Sequence, residues 1–304
     1  MKTLKLLFIT LFAGFAFTSC SVIIDDVDET FYVNLEDVVT GYDLWYIDYN
    51  KTVGNGDVPF LSKAFTISFI NGRVYANNNL VGLGSTGNGY GIQVGNYNTH
   101  KGFLEVNHSI DGYFDFDIIQ ISIDRIKLRD NYNGVTYFLE GYQKHLFDYD
   151  KVFYDNIEYF LQEYKVWEKS FTSSAGIVNE FDNENYLKFT PENLTTFYSS
   201  QDKVGIAIAN ILWDYEGSYS VENYQGYDNL KHLTLNYGAL GKEEFELTVV
   251  NDQKISLFHL SSGTTYEFRG RSYIQYMKDG ISSEDVRIDG RKRTKISRET
   301  IVKT

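Results

Sequence analysis

Apolar residues recur at every second position over much of this chain. Phe116 and Ile118, Ile126 and Leu128, and Tyr137 and Leu139 are each two apart, so each pair points to one side of an extended strand. Runs of this kind predict eight strands in the first half, near 45–50, 64–70, 73–78, 90–95, 102–107, 114–121, 125–130 and 135–141. Turn signals separate them, among them Asn71–Gly72 between "FTISFI" and "RVYANN", and "NYNG" at 131–134. A helical period appears as well. Ile157, Phe160, Leu161 and Tyr164 fall at i, i+3, i+4 and i+7 and predict a short helix with one apolar face.

The pattern repeats. A shift of 129 residues aligns "FDIIQISIDRIKLRDNYNGVTYFLEG" (116–141) with "FELTVVNDQKISLFHLSSGTTYEFRG" (245–270) without a gap, and seven residues coincide, among them Ile126 with Ile255, Tyr137 with Tyr266 and Gly141 with Gly270. Tyr90 and Tyr219 fall on the same shift. Upstream, a shift of 122 aligns "NLEDVVTGYDLW" (34–45) with "NIEYFLQEYKVW" (156–167), pairing Tyr42 with Tyr164 and Trp45 with Trp167. The seven-residue difference between the two shifts is a loop difference of a tolerable kind. The chain reads as a tandem duplication, each copy a short helix, a tryptophan and about eight strands.

Eight consecutive antiparallel strands lose their exposed edges most simply by closing into an up-and-down barrel. The expected fold is therefore mainly β, two tandem antiparallel barrels, each preceded by a short helix, over 32–145 and 154–272. Helix, early tryptophan, "I-x-L" strand, Gly turn and aromatic strand together resemble the lipocalin-like domains of secreted bacterial lipoproteins. That resemblance implies a barrel able to hold one small ligand. Tyr137, Tyr266, Trp45 and Trp167 are the candidate ligand-lining residues, with plugging of the barrel as the alternative role of the tryptophans.

The amino terminus is different in kind. Lys2 and Lys5, the apolar "LLFITLFAGFAF" and a small polar end give residues 1–19 the layout of a secretory signal peptide. "FTSC" then brings the single cysteine of the chain, Cys20, and resembles the lipobox of bacterial lipoproteins, with Phe17 where Leu is usual. The resemblance implies cleavage before Cys20 and its acylation, two or more chains being needed for stable anchoring. Residues 20–31 follow as an acidic tether whose Asp25, Asp26, Asp28 and Glu29 are similar to the export tags of surface-exposed lipoproteins. An outer-membrane lipoprotein, periplasmic or surface-exposed, is the implied location, and the membrane the implied partner.

Composition agrees with the strands: 25 Tyr, 22 Phe and only 2 Pro. The formal charge of −13 becomes −15 once Lys2 and Lys5 leave with the leader, so nucleic acid is not an expected partner. The one cationic stretch, "DGRKRTKISR", lies in a basic tail at 273–304 with little apolar content to order it, and a solvated terminus is expected there.

Catalytic signatures fail on inspection. "GLGSTG" at 82–87 leads into a strand, not the helix a dinucleotide site requires, and suggests a mobile loop. The five histidines have no H-E-x-x-H or paired zinc spacing, and no G-x-S-x-G elbow occurs. "ISSEDVR" at 281–287 resembles the Ile-Ser-Ser-Thr-x-x-Arg motif of nicotinate mononucleotide adenylyltransferases through Ile281, Ser282, Ser283 and Arg287, with Glu284 where Thr belongs. The glycine-rich strand-turn-helix of that family is missing. No catalytic residue, metal or cofactor is nominated. The expected function is non-enzymatic binding of a small apolar or glycan ligand, the alternatives being a structural envelope protein with packed barrels and, remotely and on the "ISSEDVR" stretch alone, a nicotinate mononucleotide adenylyltransferase-like activity.

Overall fold

A computed structural model describes residues 34–303 apart from 57, 59, 60, 62, 101, 192–194 and 275–292. The leader, Cys20, the acidic tether and "ISSEDVR" lie outside the described residues. In the first half α1 (Leu35–Thr40) begins where the Asn34 side chain accepts the Glu36 N–H. Strands β1 (Leu44–Ile47), β2 (Val53–Gly54), β3 (Thr66–Ile70), β4 (Arg73–Asn77), β5 (Ile92–His100), β6 (Phe103–His108), β7 (Gly112–Ser122), β8 (Arg125–Asp130) and β9 (Val135–Tyr142) follow. They pair antiparallel in the order β1-β3-β4-β5-β6-β7-β8-β9, β9 returns to β1, and β2 lies against the start of β9. All eight predicted strands are present. Their shared inner face is buried, with Phe116, Ile126, Leu128, Tyr137 and Leu139 in one core with Trp45.

The second half repeats this. Helices α2 (Tyr149–Asp155) and α3 (Ile157–Leu161) lead into β10 (Tyr164–Thr172), β11 (Tyr186–Phe189), β12 (Thr196–Ser200), β13 (Tyr215–Tyr224), β14 (Tyr227–Asn236), β15 (Lys242–Asn251), β16 (Lys254–His259) and β17 (Thr265–Tyr273), a second closed barrel. Ile157, Phe160 and Leu161 are buried as the helical period requires. Tyr164 already belongs to β10.

Each barrel closes on the same construction. Trp45 is registered opposite Gly141 and Trp167 opposite Gly270, where the first and last strands meet. The indole N–H donates to the carbonyl of the preceding segment in both copies, Trp45 to Val39 O and Trp167 to Leu161 O, each at 2.8 Å. Tyr42 and Tyr164 lie edge-on to their tryptophans at 5.2 and 4.7 Å and cover the glycines so closely that a Cβ on Gly141 or Gly270 would fall 2.5 Å from the ring. Glycine is required here for space.

The register corrects one pairing. Tyr219 sits opposite Leu235, and in the first barrel Tyr97 sits opposite Val106, the counterpart of Leu235. The partner of Tyr219 is therefore Tyr97, seven residues from Tyr90. The offset, 122 at the tryptophans, is 120 between β3 and β11 and 123 between β4 and β12, and is 122 again at Tyr97 and Tyr219. It changes to 129 in the next hairpin, which β13 and β14 extend.

The "GLGSTG" segment is a turn in which Leu83 is buried, Gly84 lies beside the Tyr149 ring and residues 84–87 are exposed. One further expectation fails for reasons of packing. The basic tail, where described, returns to the body. Arg293 is buried over the Phe65 ring at 4.1 Å, donates to Ala64 O at 2.7 Å, and lies 5.9 Å from Tyr159. Ile296 and Ile301 enter the core that spans Leu44, Tyr142, Phe147 and Tyr159, and Asp148 N–H donates to Ile301 O at 2.8 Å. In the junction near 145–154, Phe147, Tyr149, Val152, Phe153 and Tyr154 are buried, while His145 and Leu146 are exposed. The barrels also meet directly, Asn79 donating to Glu163 Oε1 and Val81 N–H to Asp252 Oδ1, each at 2.9 Å.

Two measurements check this account. In urea unfolding Gly270→Ala is expected to lower the unfolding free energy by about 1–3 kcal/mol through overpacking, and Leu257→Ala to lower it by about 2–5 kcal/mol as a core truncation. Trypsin should spare Lys295 and Arg298 in the wild type and cut there in Arg293→Ala, since the guanidinium holds that segment down.

Candidate functional site

Strand direction divides each barrel into two ends. Trp45 and Trp167 lie at the helix-bearing end, and so do the contacts of the second barrel with the first, Glu163 and Asp252. Tyr137 and Tyr266 lie toward the other end. All four predicted lining residues are buried to within 1% exposure, but the fold does not bring the tryptophans together with the tyrosines. The indoles fill the barrel base. Tyr137 meets Phe116 edge-on at 6.3 Å within an apolar interior.

Around Tyr266 the interior changes character. Alternation along β15 and β16 puts Glu243 in phase with Phe245 and Leu247, and His259 in phase with Ile255 and Leu257, so both point inward. Lys169 follows Trp167 by two residues and has the same inward phase. The segment 173–185 crosses this end, and its 3-10 turn Glu180–Asn183 drops Phe181 into the interior, 4.7 Å from Phe245 and 5.0 Å from Tyr266. The turn starts with a reciprocal cap between Asn179 and Asp182. Tyr266 OH donates to Asp182 Oδ1 at 2.6 Å, Asn179 Nδ2 donates to Tyr266 OH at 2.8 Å, and Lys169 Nζ donates to Asp182 O at 2.6 Å.

The acids of this cluster are held differently. Burial pushes Glu184 up to about 7, against the hydrogen bond that it accepts from Tyr237 OH at 2.7 Å. Burial acts on Asp182 in the same direction, but the bonds from Tyr266 and the Asn179 N–H outweigh it and hold the carboxyl below its ordinary value. Burial pushes the Lys169 ammonium down, opposed by Asp182 and Glu184. The Tyr266 hydroxyl is pushed up to about 12 by burial and its bond to Asp182.

Glu243 Oε2 lies 2.6 Å from His259 Nε2, and His259 Nδ1 lies 2.8 Å from Ser262 Oγ. The order suggests a nucleophile, base and orienter. Its twin in the first barrel shows another role: at the same hairpin positions Asp130 accepts the Asn133 N–H at 2.9 Å and its amide at 2.6 Å. Ser262 also donates to Thr264 Oγ1 at 3.0 Å and accepts the Thr264 N–H at 3.2 Å. His259 and Ser262 clamp the β16–β17 turn.

The rest of the cluster has no such structural twin. By register and equivalent hydrogen bonds, Lys169 corresponds to Ile47, Glu184 to Ala64 and Glu243 to Phe114. Tyr237 corresponds to His108, whose Nδ1 accepts its own turn's Asp111 N–H at 3.0 Å. Both copies bury ionisable side chains at this end, Lys63, His108 and Asp130 in the first, but the three positions of Lys169, Glu184 and Glu243 are apolar there. Lys169, Phe181, Glu184, Tyr237, Glu243 and His259 were not singled out by sequence reasoning. The aligned copies held a signal for some of them, since Glu243 against Phe114 and His259 against Asp130 fall on inward positions of the 129-residue repeat.

Among the described residues no group of His, Cys, Asp and Glu is placed to hold a metal ion, and no helix is long and apolar enough to cross a membrane. No protein-family model matches the chain, and no curated protein is significantly similar to it.

The Glu184 environment sets a pH dependence. A carboxyl raised from 4.5 to about 7 favours folding in its protonated form. That contribution is complete below pH about 4.5 and is lost as pH rises through about 7, a difference of roughly 3 kcal/mol. Glu184→Gln keeps the acceptor for Tyr237 and removes the charge. Urea unfolding should show the variant gaining on the wild type by roughly that amount between pH 5 and pH 8, and a constant difference would contradict the assignment.

Proposed function

We propose that this protein is a lipid-anchored lipoprotein of the outer membrane, acylated at Cys20, whose lipocalin-like second barrel binds a small apolar or glycan molecule. The leader and "FTSC" support the anchor. One observation supports the binding role above others: Lys169, Glu184 and Glu243 face inward at the end of the second barrel, where the first barrel closes with Ile47, Ala64 and Phe114. Ionisable groups in a barrel interior cost stability unless they are matched to something. The sister copy, which buries Lys63, His108 and Asp130 of its own, has apolar side chains at these three positions. The first barrel, apolar at these three positions, serves as the scaffold on which the second is held.

A purely structural role is the second reading, favoured by the dense aromatic cores of both barrels. Native mass spectrometry separates the two. Full-length protein purified in detergent and exposed to extracts of its own envelope should retain a bound mass that is lost in Tyr266→Trp and kept in Tyr137→Trp. Protein that never carries a mass supports the structural role. For the anchor, metabolic labelling with a fatty acid should mark the wild type and leave Cys20→Ala unmarked.

A further inference from the structure

We infer that the slot filled by the Phe181 ring is a binding site for a small hydroxylated aromatic ring, and that Phe181 is its internal stand-in. The inference rests on the binding role proposed for the second barrel and narrows the ligand to one chemical class.

The walls of the slot are aromatic. Phe181 meets Phe245 at 4.7 Å, Tyr266 at 5.0 Å, Phe268 at 6.2 Å and the His259 ring at 6.3 Å, at interplanar angles from 33° to 69°. Tilted and edge-on geometries of this kind suit a planar six-membered ring. Phe181 is supplied from outside the barrel wall, on a four-residue turn within the segment joining β10 to β11. Side-chain bonds tie this turn to the barrel, Tyr266 to Asp182 and Asn179, Lys169 to Asp182 O and Tyr237 to the capping Glu184. Backbone bonds at Ile177 and Asn185 flank it, and none of these is a bond between two paired strands of the wall around Phe181. Exchange of this ring for another therefore disturbs no strand pairing.

The groups around the slot specify what an incoming ring should carry. Glu184 with Tyr237, Glu243 with His259, and Lys169 offer both donors and acceptors, which a phenyl ring does not use and a ring hydroxyl does. Acids and bases are both present, so the site does not call for a strongly charged ligand. The loops around this end expose Ile177, Val178, Leu212 and Leu240, an apolar approach for a molecule with an aromatic body. A saccharide ring would find hydrogen bonds here but would lack the planar apolar faces that the slot accepts.

Isothermal titration of the full-length protein in detergent with phenol, benzene and methyl glucopyranoside tests the inference. Phenol should bind the wild type, and at least tenfold more tightly Phe181→Ala, where the internal ring no longer competes. Phe181→Leu repeats the measurement with the interior kept apolar, and circular dichroism confirms that each variant is folded. In the Phe181→Ala background Glu243→Gln should weaken phenol tenfold. Benzene binding as tightly as phenol would reduce the slot to an apolar void and overturn the inference. Preference for methyl glucopyranoside would overturn the ligand class while leaving the binding role intact, as would a bound mass in native spectra from protein that ignores all three probes. No binding in either experiment would remove both.

Discussion

Closure of each barrel depends on an aromatic ring lying flat against a glycine. Where the last strand returns to the first, Tyr42 covers Gly141 and Tyr164 covers Gly270, and the adjacent tryptophan ties that seam to the segment before it through a 2.8 Å bond. Without this seam both sheets would have two open edges and unpaired backbone groups. The base is then full, so whatever distinguishes the copies must lie at the other end.

There the copies part. The first keeps Ile47, Ala64 and Phe114 and is apolar at those positions. The second introduces Lys169, Glu184 and Glu243 and sets Phe181 against Phe245 and Tyr266 at the same end. Because both copies share strand order and closure, the comparison is internal: backbone and topology are held nearly constant while the interior chemistry changes. It also separates residues by role. His259 and Ser262 have working counterparts in Asp130 and Asn133 and belong to a turn. Lys169 and Glu243 have apolar counterparts and belong to something else.

Period and repetition made most of the fold legible from the residues alone. Strand positions, inner faces and the tandem arrangement follow from two-residue alternation, which the backbone enforces wherever one face is buried. The Tyr90–Tyr219 pairing failed because a constant shift carries no knowledge of which hairpin grew longer. The tail was misread for a different reason. A run of Arg and Lys looks solvated in one dimension, but Arg293 finds the Phe65 face and the Ala64 carbonyl 229 residues away in sequence. The interior cluster was hidden for the same cause, since Lys169, Glu184, Tyr237 and Glu243 are distant in sequence and meet only when the barrel closes. Tyr266 was visible because it repeats; its partners were not, because they do not.

The position of Arg293 in the chain has a consequence for biogenesis. The segment that carries it follows both barrels, so it emerges from a ribosome or a translocation channel only after every strand has done so. Its target, the Phe65–Tyr159 face, joins a residue of the first barrel to one of α3. Until the guanidinium arrives, that face presents two aromatic rings and the Ala64 carbonyl to its surroundings. The barrels are thus free to form one after the other as they emerge, and locking of their junction waits for a segment made after both.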